Sequence, residues 1–530
     1  MKRNTLTNAV LAGIGGIAGL AGIANAVNLN PDGLGEVLIY PYYTVNGGND
    51  TLLSVVNTTN DVKAVKVRFV DSKNSREVLD FNLYLSPFDV WTGVVTDPDG
   101  DDSGLAAVAT ADRSCTVPSF FTQNDGLLGT NLPFVNFKTI RFDEFDGVDN
   151  SPERTREGHF EVIEMGIVDE LVDADVTGLE AAAIHGADGL PANCGALVSA
   201  WIFGGVWNAT GSRGADTDLR SPEGGLFGSA SIINVLNGTQ VGYNADAIAA
   251  FFDPTAGTGT NGGPATLHAD PGSELPTLNQ ADTSGTTGDA TTVQSIVFDN
   301  GRIVTSDWDS LLGNPGPVDA VSAVYMHNNI FNEYAIDSAL NGATEWVNTF
   351  PTKRFYVNTS PLPAIPPFTD DFDGDTIADG ASCEQIGISF YDREEGDPGQ
   401  APGQVNFSPF DPANPLVPVL CYEAQVVTWN QDLATNTTSS ILGSPNARNI
   451  STETVTGSTF ENGWGQINFT SDPGHTYTSS DGDIYSGLPV TGFQITVVQN
   501  GTLADAAGNS VLSNYAGLFG HRASRSIVGS

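Results

Sequence analysis

From Val37 to Val95 the chain repeats one unit, a short run of β-branched and aromatic residues followed by a turn. Val37-Leu-Ile-Tyr-Pro-Tyr-Tyr-Thr44 gives way to Gly47-Gly48-Asn49-Asp50, and a second run covers Leu52 to Asn57. Asp71-Ser-Lys-Asn74 makes the next reversal, ahead of Val78-Leu-Asp-Phe-Asn-Leu-Tyr-Leu85 and Asp89-Val-Trp-Thr-Gly-Val-Val95. Branched and aromatic side chains fit a pleated, half-buried surface, and Gly, Asn and Asp suit the tight turns between strands. Val65-Lys-Val-Arg-Phe69 alternates with a period of two, placing Val65, Val67 and Phe69 on one face and Lys66 and Arg68 on the other. Short strands at this spacing predict a mainly all-β chain of β-sandwich-like domains, preferred over a barrel, with long loops and little helix.

The rhythm resumes at His159 to Met165, Gly195 to Phe203, Tyr422 to Trp429, Gly465 to Phe469 and Thr491 to Val498. Val318 to Tyr325, Thr344 to Phe350 and Arg354 to Val357 also read as extended. The best helix candidate is Leu179-Glu-Ala-Ala-Ala-Ile-His185, because Ala and Leu have high helix propensity. Asp253 to about Thr292 is dominated by Gly, Thr, Pro, Ala and Asp, too poor in apolar surface to offset its ordering entropy. The expected division is a signal segment over 1–26, a β-sandwich-like domain over 27–252, an exposed loop or linker over 253–295, and a second β-rich domain over 296–530.

Met1 to Ala26 has the form of an export signal. Lys2 and Arg3 open it, Ala9 to Ile23 is apolar, and Ala24-Asn25-Ala26 has small residues flanking a cleavage point. The apolar run is shorter than the ~20 residues that span a bilayer, so no transmembrane anchor is expected after cleavage. The location implied is extracellular or at the cell surface, with the periplasm as the alternative. The formal net charge is −42, and it becomes −44 without Lys2 and Arg3. Nucleic-acid binding needs basic surface to replace phosphate counterions, so this acidity excludes it. The same acidity favours solubility and attracts divalent cations. With 40% hydrophobic residues and 27 Phe the chain still has material for a core.

One stretch has a specific chemical reading, Asp371-Phe-Asp373-Gly-Asp375-Thr-Ile377-Ala-Asp379. Four carboxylates at alternate positions repel one another unless a cation neutralises them. Ca2+ suits such a site, since it takes six to eight oxygen ligands at roughly 2.3–2.6 Å in flexible geometry. Asp371, Asp373, Asp375 and Asp379 are the candidate side-chain ligands, with Ile377 offering its carbonyl. The segment resembles the calcium loop of thrombospondin type-3 repeats, Asp-x-Asp-Gly-Asp-Gly-Ile-x-Asp, over these nine residues alone. Thr376 stands where that family has Gly, and Thr tolerates a positive φ poorly. The resemblance implies structural calcium and nothing about the remaining fold. The block around Asn49-Asp-Thr-Leu-Leu-Ser-Val-Val-Asn-Thr58 also looks like exported bacterial proteins of unassigned function, which implies an export context only.

Asp97-Pro-Asp-Gly-Asp-Asp102 is a second acidic loop able to hold a cation, and Asp143, Glu144, Asp146 and Asp149 form a third acidic turn. The cysteines are Cys115, Cys194, Cys383 and Cys421; an even count in an exported chain predicts two disulfides, and the grouping favours Cys115 with Cys194 and Cys383 with Cys421. The chain contains no His-Glu-x-x-His, Gly-x-Ser-x-Gly or Gly-x-x-x-x-Gly-Lys motif. Its six His are scattered, and most of its seven Trp lie inside strand patterns that favour the core. The expected function is that of a calcium-binding structural or interaction protein with a surface, matrix or adhesive role, not an enzyme, with self-assembly or surface polysaccharide as the partners. The alternative is a secreted polysaccharide hydrolase or carbohydrate-binding protein in which calcium is only structural.

Overall fold

The computed structural model describes residues 26–122, 127, 132–142, 150–169, 178–208, 219–252, 266–282, 292–309, 316–357, 363–372, 381–395, 418–430, 438–452, 460–504 and 506–529. The architecture is mainly β, and its sheets are antiparallel apart from the parallel pairing of Ala424–Asn430 with Arg448–Ser451. In the first sheet Val37–Thr44 pairs with Glu157–Val168, which pairs with Val62–Asp71, which pairs with Glu77–Leu85. In the second, Leu226–Asn234 pairs with Asn49–Asn57, and that strand with Val90–Thr96. Period two decides what lies between them: Leu53 and Val55 are buried, whereas Leu52 is exposed. Tyr40, Val67, Phe69, Phe81 and Phe160 from the first sheet meet Val55 and Trp91 from the second in one core. Phe160 stacks against Tyr40 at 4.0 Å and against Phe69 at 4.9 Å.

The later part of the chain forms a second pair. The third sheet runs Gly387–Asp392, Asn462–Asn468, Asn329–Ala335 and Arg522–Ser524 in spatial order. The fourth runs Arg448–Ser451, Ala424–Asn430, Gly342–Thr349, Thr491–Ala504 and Ser510–Gly520. Tyr334 and Phe390 from the third sheet pack on Trp346 and Trp429 of the fourth, with Tyr334 and Trp429 stacked at 4.8 Å. The opposite face of the fourth sheet carries Val347, Val426, Phe493, Ile495 and Val497 into the core of the first pair. Tyr243 stacks on Phe493 at 5.0 Å, and Thr349 Oγ1 donates to Pro41 O at 2.5 Å. Strands covered on both faces need apolar side chains at successive positions, so the alternation of surface strands is lost here.

Three stretches expected to be extended are helical. Gly195 to Phe203 falls largely in the α-helix Cys194–Trp201, Val318 to Tyr325 is the α-helix Val318–Tyr325, and Arg354–Val357 is one helical turn. Every residue of Val318–Tyr325 is buried, so no polar face exists to reveal a period of 3.6. Leu179–Ala183 is helical as its composition predicts.

Lys66 and Arg68 do share one face of their strand, yet that face is covered. Residues 266–282, inside the stretch expected to be an exposed loop, lie over it. Lys66 Nζ donates to Asp270 O at 3.0 Å and Ser273 O at 3.2 Å, and Arg68 Nη2 donates to Pro276 O at 2.8 Å. Leu278 and Ala281 of the same segment enter the core. A segment with little apolar surface is therefore ordered by carbonyls that cap two buried cations. Nearby Arg68 Nη1 meets Glu161 Oε1 at 2.5 Å, and Lys63 Nζ meets Glu164 Oε1 at 2.8 Å.

Disulfides join Cys115 to Cys194 and Cys383 to Cys421. The first ties the end of the first sheet to the helix Cys194–Trp201, and the second braces the short strand pair of Glu384–Gln385 with Val419–Leu420, next to the acidic segment. Two disulfides mark a non-reducing environment. Among the described residues no helix is long and apolar enough to cross a membrane.

Candidate functional site

Asp373, Asp375, Ile377 and Asp379 lie outside the described residues, while Asp371 and both stems of the acidic run are inside them. The stems are fastened to one another. Asp370 Oδ2 accepts the Cys383 N–H at 2.6 Å, and Asp370 O accepts the Ser382 hydroxyl at 2.5 Å. Phe368 and Phe372 are buried in the core of the second pair of sheets, and Ala381 packs beside the Cys383–Cys421 disulfide. The apolar residues flanking the carboxylates thus anchor the chain on both sides.

Beneath this junction sits a wholly buried charged group. Glu384 accepts from Thr369 N at 3.1 Å, Thr369 Oγ1 at 3.0 Å and Asp370 N at 3.3 Å. His475 Nε2 lies 2.8 Å from Glu384 Oε2, and its Nδ1 lies 2.7 Å from Phe469 O. Lys353 Nζ donates to Ser382 O at 2.5 Å, with its side chain fully enclosed. Burial pushes the Glu384 carboxyl up, but the His475 hydrogen bond and the Lys353 charge more than reverse it and hold the group below the usual carboxylate range. Burial lowers the Lys353 ammonium, opposed first by Glu384 and then by Glu423. Glu423 is held well above the usual range by burial. The arrangement fixes the two ends of a carboxylate-rich run side by side, which is the geometric requirement for several of its oxygens to address one hard cation.

The second acidic loop has a different solution. Arg156 Nη2 lies 2.8 Å from Asp102 Oδ1 and 3.3 Å from Asp97 Oδ2. Asp97 also accepts the N–H groups of Asp99 and Gly100 at 3.1 Å and of Asp102 at 2.7 Å. A buried guanidinium and the loop's own backbone occupy the oxygens of Asp97, and the guanidinium also takes one of Asp102. Asp143, Glu144, Asp146 and Asp149 are outside the described residues. Among the described residues no group of three or more His, Cys, Asp or Glu side chains converges as a metal site.

The histidines have structural surroundings. His268 is enclosed by Trp201 and Trp207, with ring centroids at 4.8 and 4.6 Å, and lies 3.0 Å from the Tyr84 hydroxyl. His521 bridges Asn332 Oδ1 at 3.1 Å and Val347 O at 2.7 Å. Ser86, Asp89 and His185 do meet, but Ser86 Oγ at 2.8 Å and Asp89 Oδ2 at 3.5 Å both approach Nδ1. A nucleophilic triad needs hydroxyl and carboxylate on opposite ring nitrogens, so this cluster does not have its geometry.

Several buried acids make stability depend on pH. Glu36 is buried, its Oε2 accepting the Phe252 N–H at 2.7 Å; burial, then the neighbouring Glu164 carboxylate, push its carboxyl up to about 8. The folded state therefore keeps a proton that the unfolded chain releases above its ordinary value of 4.5. The resulting stability is complete below that value and disappears as pH rises through about 8. Burial acts likewise on Asp319, pushed up to about 6, and oppositely on His159, pushed down to about 4. Glu36→Gln keeps an acceptor for Phe252 and has no proton to lose. Unfolding free energies from urea curves between about pH 5 and pH 8.5 are expected to fall more in wild type than in this variant, by on the order of 3 kcal/mol across the window. Parallel slopes would show that Glu36 is ionised in the fold.

Fold and loop base together define a class: a strand-built chain stapled by two disulfides, with an acidic loop clasped at its base by a buried ionic group. No known family, curated protein or solved structure matches the chain.

Proposed function

We propose that the chain is an exported calcium-binding structural or interaction protein, non-catalytic and placed outside the cell or at its surface. The acidic run resembling a thrombospondin type-3 loop acts as its clasp, with Asp371, Asp373, Asp375, the Ile377 carbonyl and Asp379 as ligands. The observation that supports this reading is the closed base of the run, where Asp370 receives both Cys383 N–H and Ser382 Oγ above the buried Glu384, His475 and Lys353. Holding the stems together in advance lowers the ordering entropy that ligation has to overcome. At physiological salt the screening length is about 8 Å, so carboxylates at alternate positions go on repelling one another until a cation enters.

Calcium titration of the mature chain tests this, with thermal melting and light-scattering mass followed together and Asp373→Asn as control. At free calcium a hundredfold above Kd the expected stabilisation is about 2.7 kcal/mol, seen as a rise in Tm that Asp373→Asn abolishes. A parallel rise in mass assigns calcium to self-assembly, and constant mass assigns it to stiffening a single chain. An unchanged Tm in wild type overturns the calcium reading.

A further inference from the structure

Six of the seven tryptophans are buried, and Trp464 is 42% exposed. Register explains why. Trp464 on the third sheet is directly opposite Glu333 on one side and Tyr391 on the other, and Phe331 is opposite Gln466. Directly opposed residues share a face, so Phe331, Trp464 and Tyr391 lie together on the side away from the Tyr334 and Phe390 core. Tyr391 and Trp464 stack at 4.9 Å with 24° between planes, and Phe331 stands 6.4 Å from Trp464. The chain has thus placed a row of aromatic rings on a solvent-facing sheet surface.

Phe331 and Trp464 of this row border a groove of about 550 Å³ whose other wall comes from the fourth sheet. Phe519, 61% exposed on the edge strand Ser510–Gly520, faces Trp464 and Phe331 across it. Gln494 and Thr496 also line it, on the same face of the fourth sheet as Phe519. The Gln494 side chain is 2% exposed; its Nε2 donates to Thr496 Oγ1, and its Oε1 accepts no hydrogen bond among the described residues. A buried acceptor left unmet costs roughly 1–3 kcal/mol, and a turn of the Gln494 amide that brings it to a ligand hydroxyl recovers that cost. The walls are held in place before any ligand arrives: Asn332 donates to Phe519 O at 3.4 Å and is braced by His521, which reaches Val347 O on the fourth sheet. Glu333 and Arg522 complete the lining.

We propose that this groove binds a neutral glycan chain. Aromatic rings present flat apolar faces to the C–H surfaces of sugar rings, and Gln494 and Thr496 meet hydroxyls. A concave site of several hundred Å³ that sets aromatic faces beside convergent polar groups suits a small ligand. Charge selects within the glycans: Glu333 and Arg522 offset one another in the lining, so the groove holds no net positive charge for an anion, and a chain at −42 repels uronate or sulfate polymers. The inference supplies a ligand class for the interaction role proposed above and does not depend on the calcium reading.

The test is titration of the mature chain with hexasaccharides of β-1,4-glucan, β-1,3-glucan, α-1,4-glucan and chitin, with oligogalacturonate as the charged control, each with and without EDTA. Because the other six tryptophans are buried, acrylamide quenching of fluorescence reports mainly on Trp464 and is expected to fall when the ligand covers it. At least one neutral hexasaccharide is expected to bind, and Trp464→Ala to weaken it about tenfold or more. Trp464→Phe, which keeps a stacking face, should recover most of the affinity, and Gln494→Leu should weaken binding several-fold. Retained thermal melting separates these losses from misfolding. Binding that survives EDTA while Tm falls would show the groove working apart from calcium. Failure of every neutral oligomer to bind, equal binding by Trp464→Ala, or tighter binding of oligogalacturonate overturns the proposal.

Discussion

Glu384→Ala is expected to lower unfolding free energy by about 3–5 kcal/mol, because removing one member of a buried ionic group strands the others. Lys353 and His475 are both fully enclosed, and Glu384 is the carboxylate that His475 approaches at 2.8 Å. Thr369 N, Thr369 Oγ1 and Asp370 N lose their acceptor in the same step. Their loss loosens one stem of the acidic run, so the effect should reach the clasp as well as the core. The measurement is a urea unfolding curve with and without saturating calcium, alongside Glu384→Gln. The glutamine variant keeps the volume and an acceptor oxygen while losing the charge, and should fall between the two. If Glu384→Ala unfolds within about 1 kcal/mol of wild type, the buried group is not what holds the stems. If stability drops and calcium affinity does not, the group supports the fold without serving the clasp.

Removal of both disulfides is the second large effect. Cys115 and Cys194 are separated by 79 positions, and Cys383 and Cys421 by 38. On the chain-entropy account a bridge closing a loop of such length stabilises the fold by about 4 kcal/mol, slightly more for the longer. Paired Cys→Ala variants allow each to be removed alone. The Cys115/Cys194 variant is expected to lose stability with calcium affinity unchanged, since that bridge ties the first sheet to the helix Cys194–Trp201. The Cys383/Cys421 variant should lose both, because Cys383 N donates to Asp370 at the base of the acidic run. Thermal melting and calcium titration on the same preparations decide the matter, and equal calcium affinity in both variants would detach the second bridge from the clasp.

The strands of the first sheets were legible because each keeps one face in a core and the other in a different environment. Val65, Val67 and Phe69 are core residues, as their alternation predicts. The helix Val318–Tyr325 was not legible, since complete burial removes the polar face on which periodicity depends. The covering of Lys66 and Arg68 was equally hidden. Polar residues at alternate positions read as solvent-facing, and only the return of residues 266–282 from some two hundred positions away supplies the carbonyls that accept their protons. The second acidic loop shows the same limit. Its carboxylates are plain in sequence, but the cation that Asp97 and Asp102 meet is Arg156, more than fifty positions on.

By itself the sequence determined what local chemistry can determine: a strand-rich chain, four cysteines available for pairing, and a carboxylate run that demands a counter-charge. Tertiary structure alone decided which of these features share a neighbourhood. Glu384 meets His475 across ninety-one positions, and Trp464 is the tryptophan left in solvent because its strand places it on the outer face of a sheet. Phe331, Trp464, Gln494 and Phe519 line one groove because two sheets end side by side. Periodicity reports which face of a strand a residue occupies. What covers that face is set by packing between segments remote in the chain, and no local pattern encodes it.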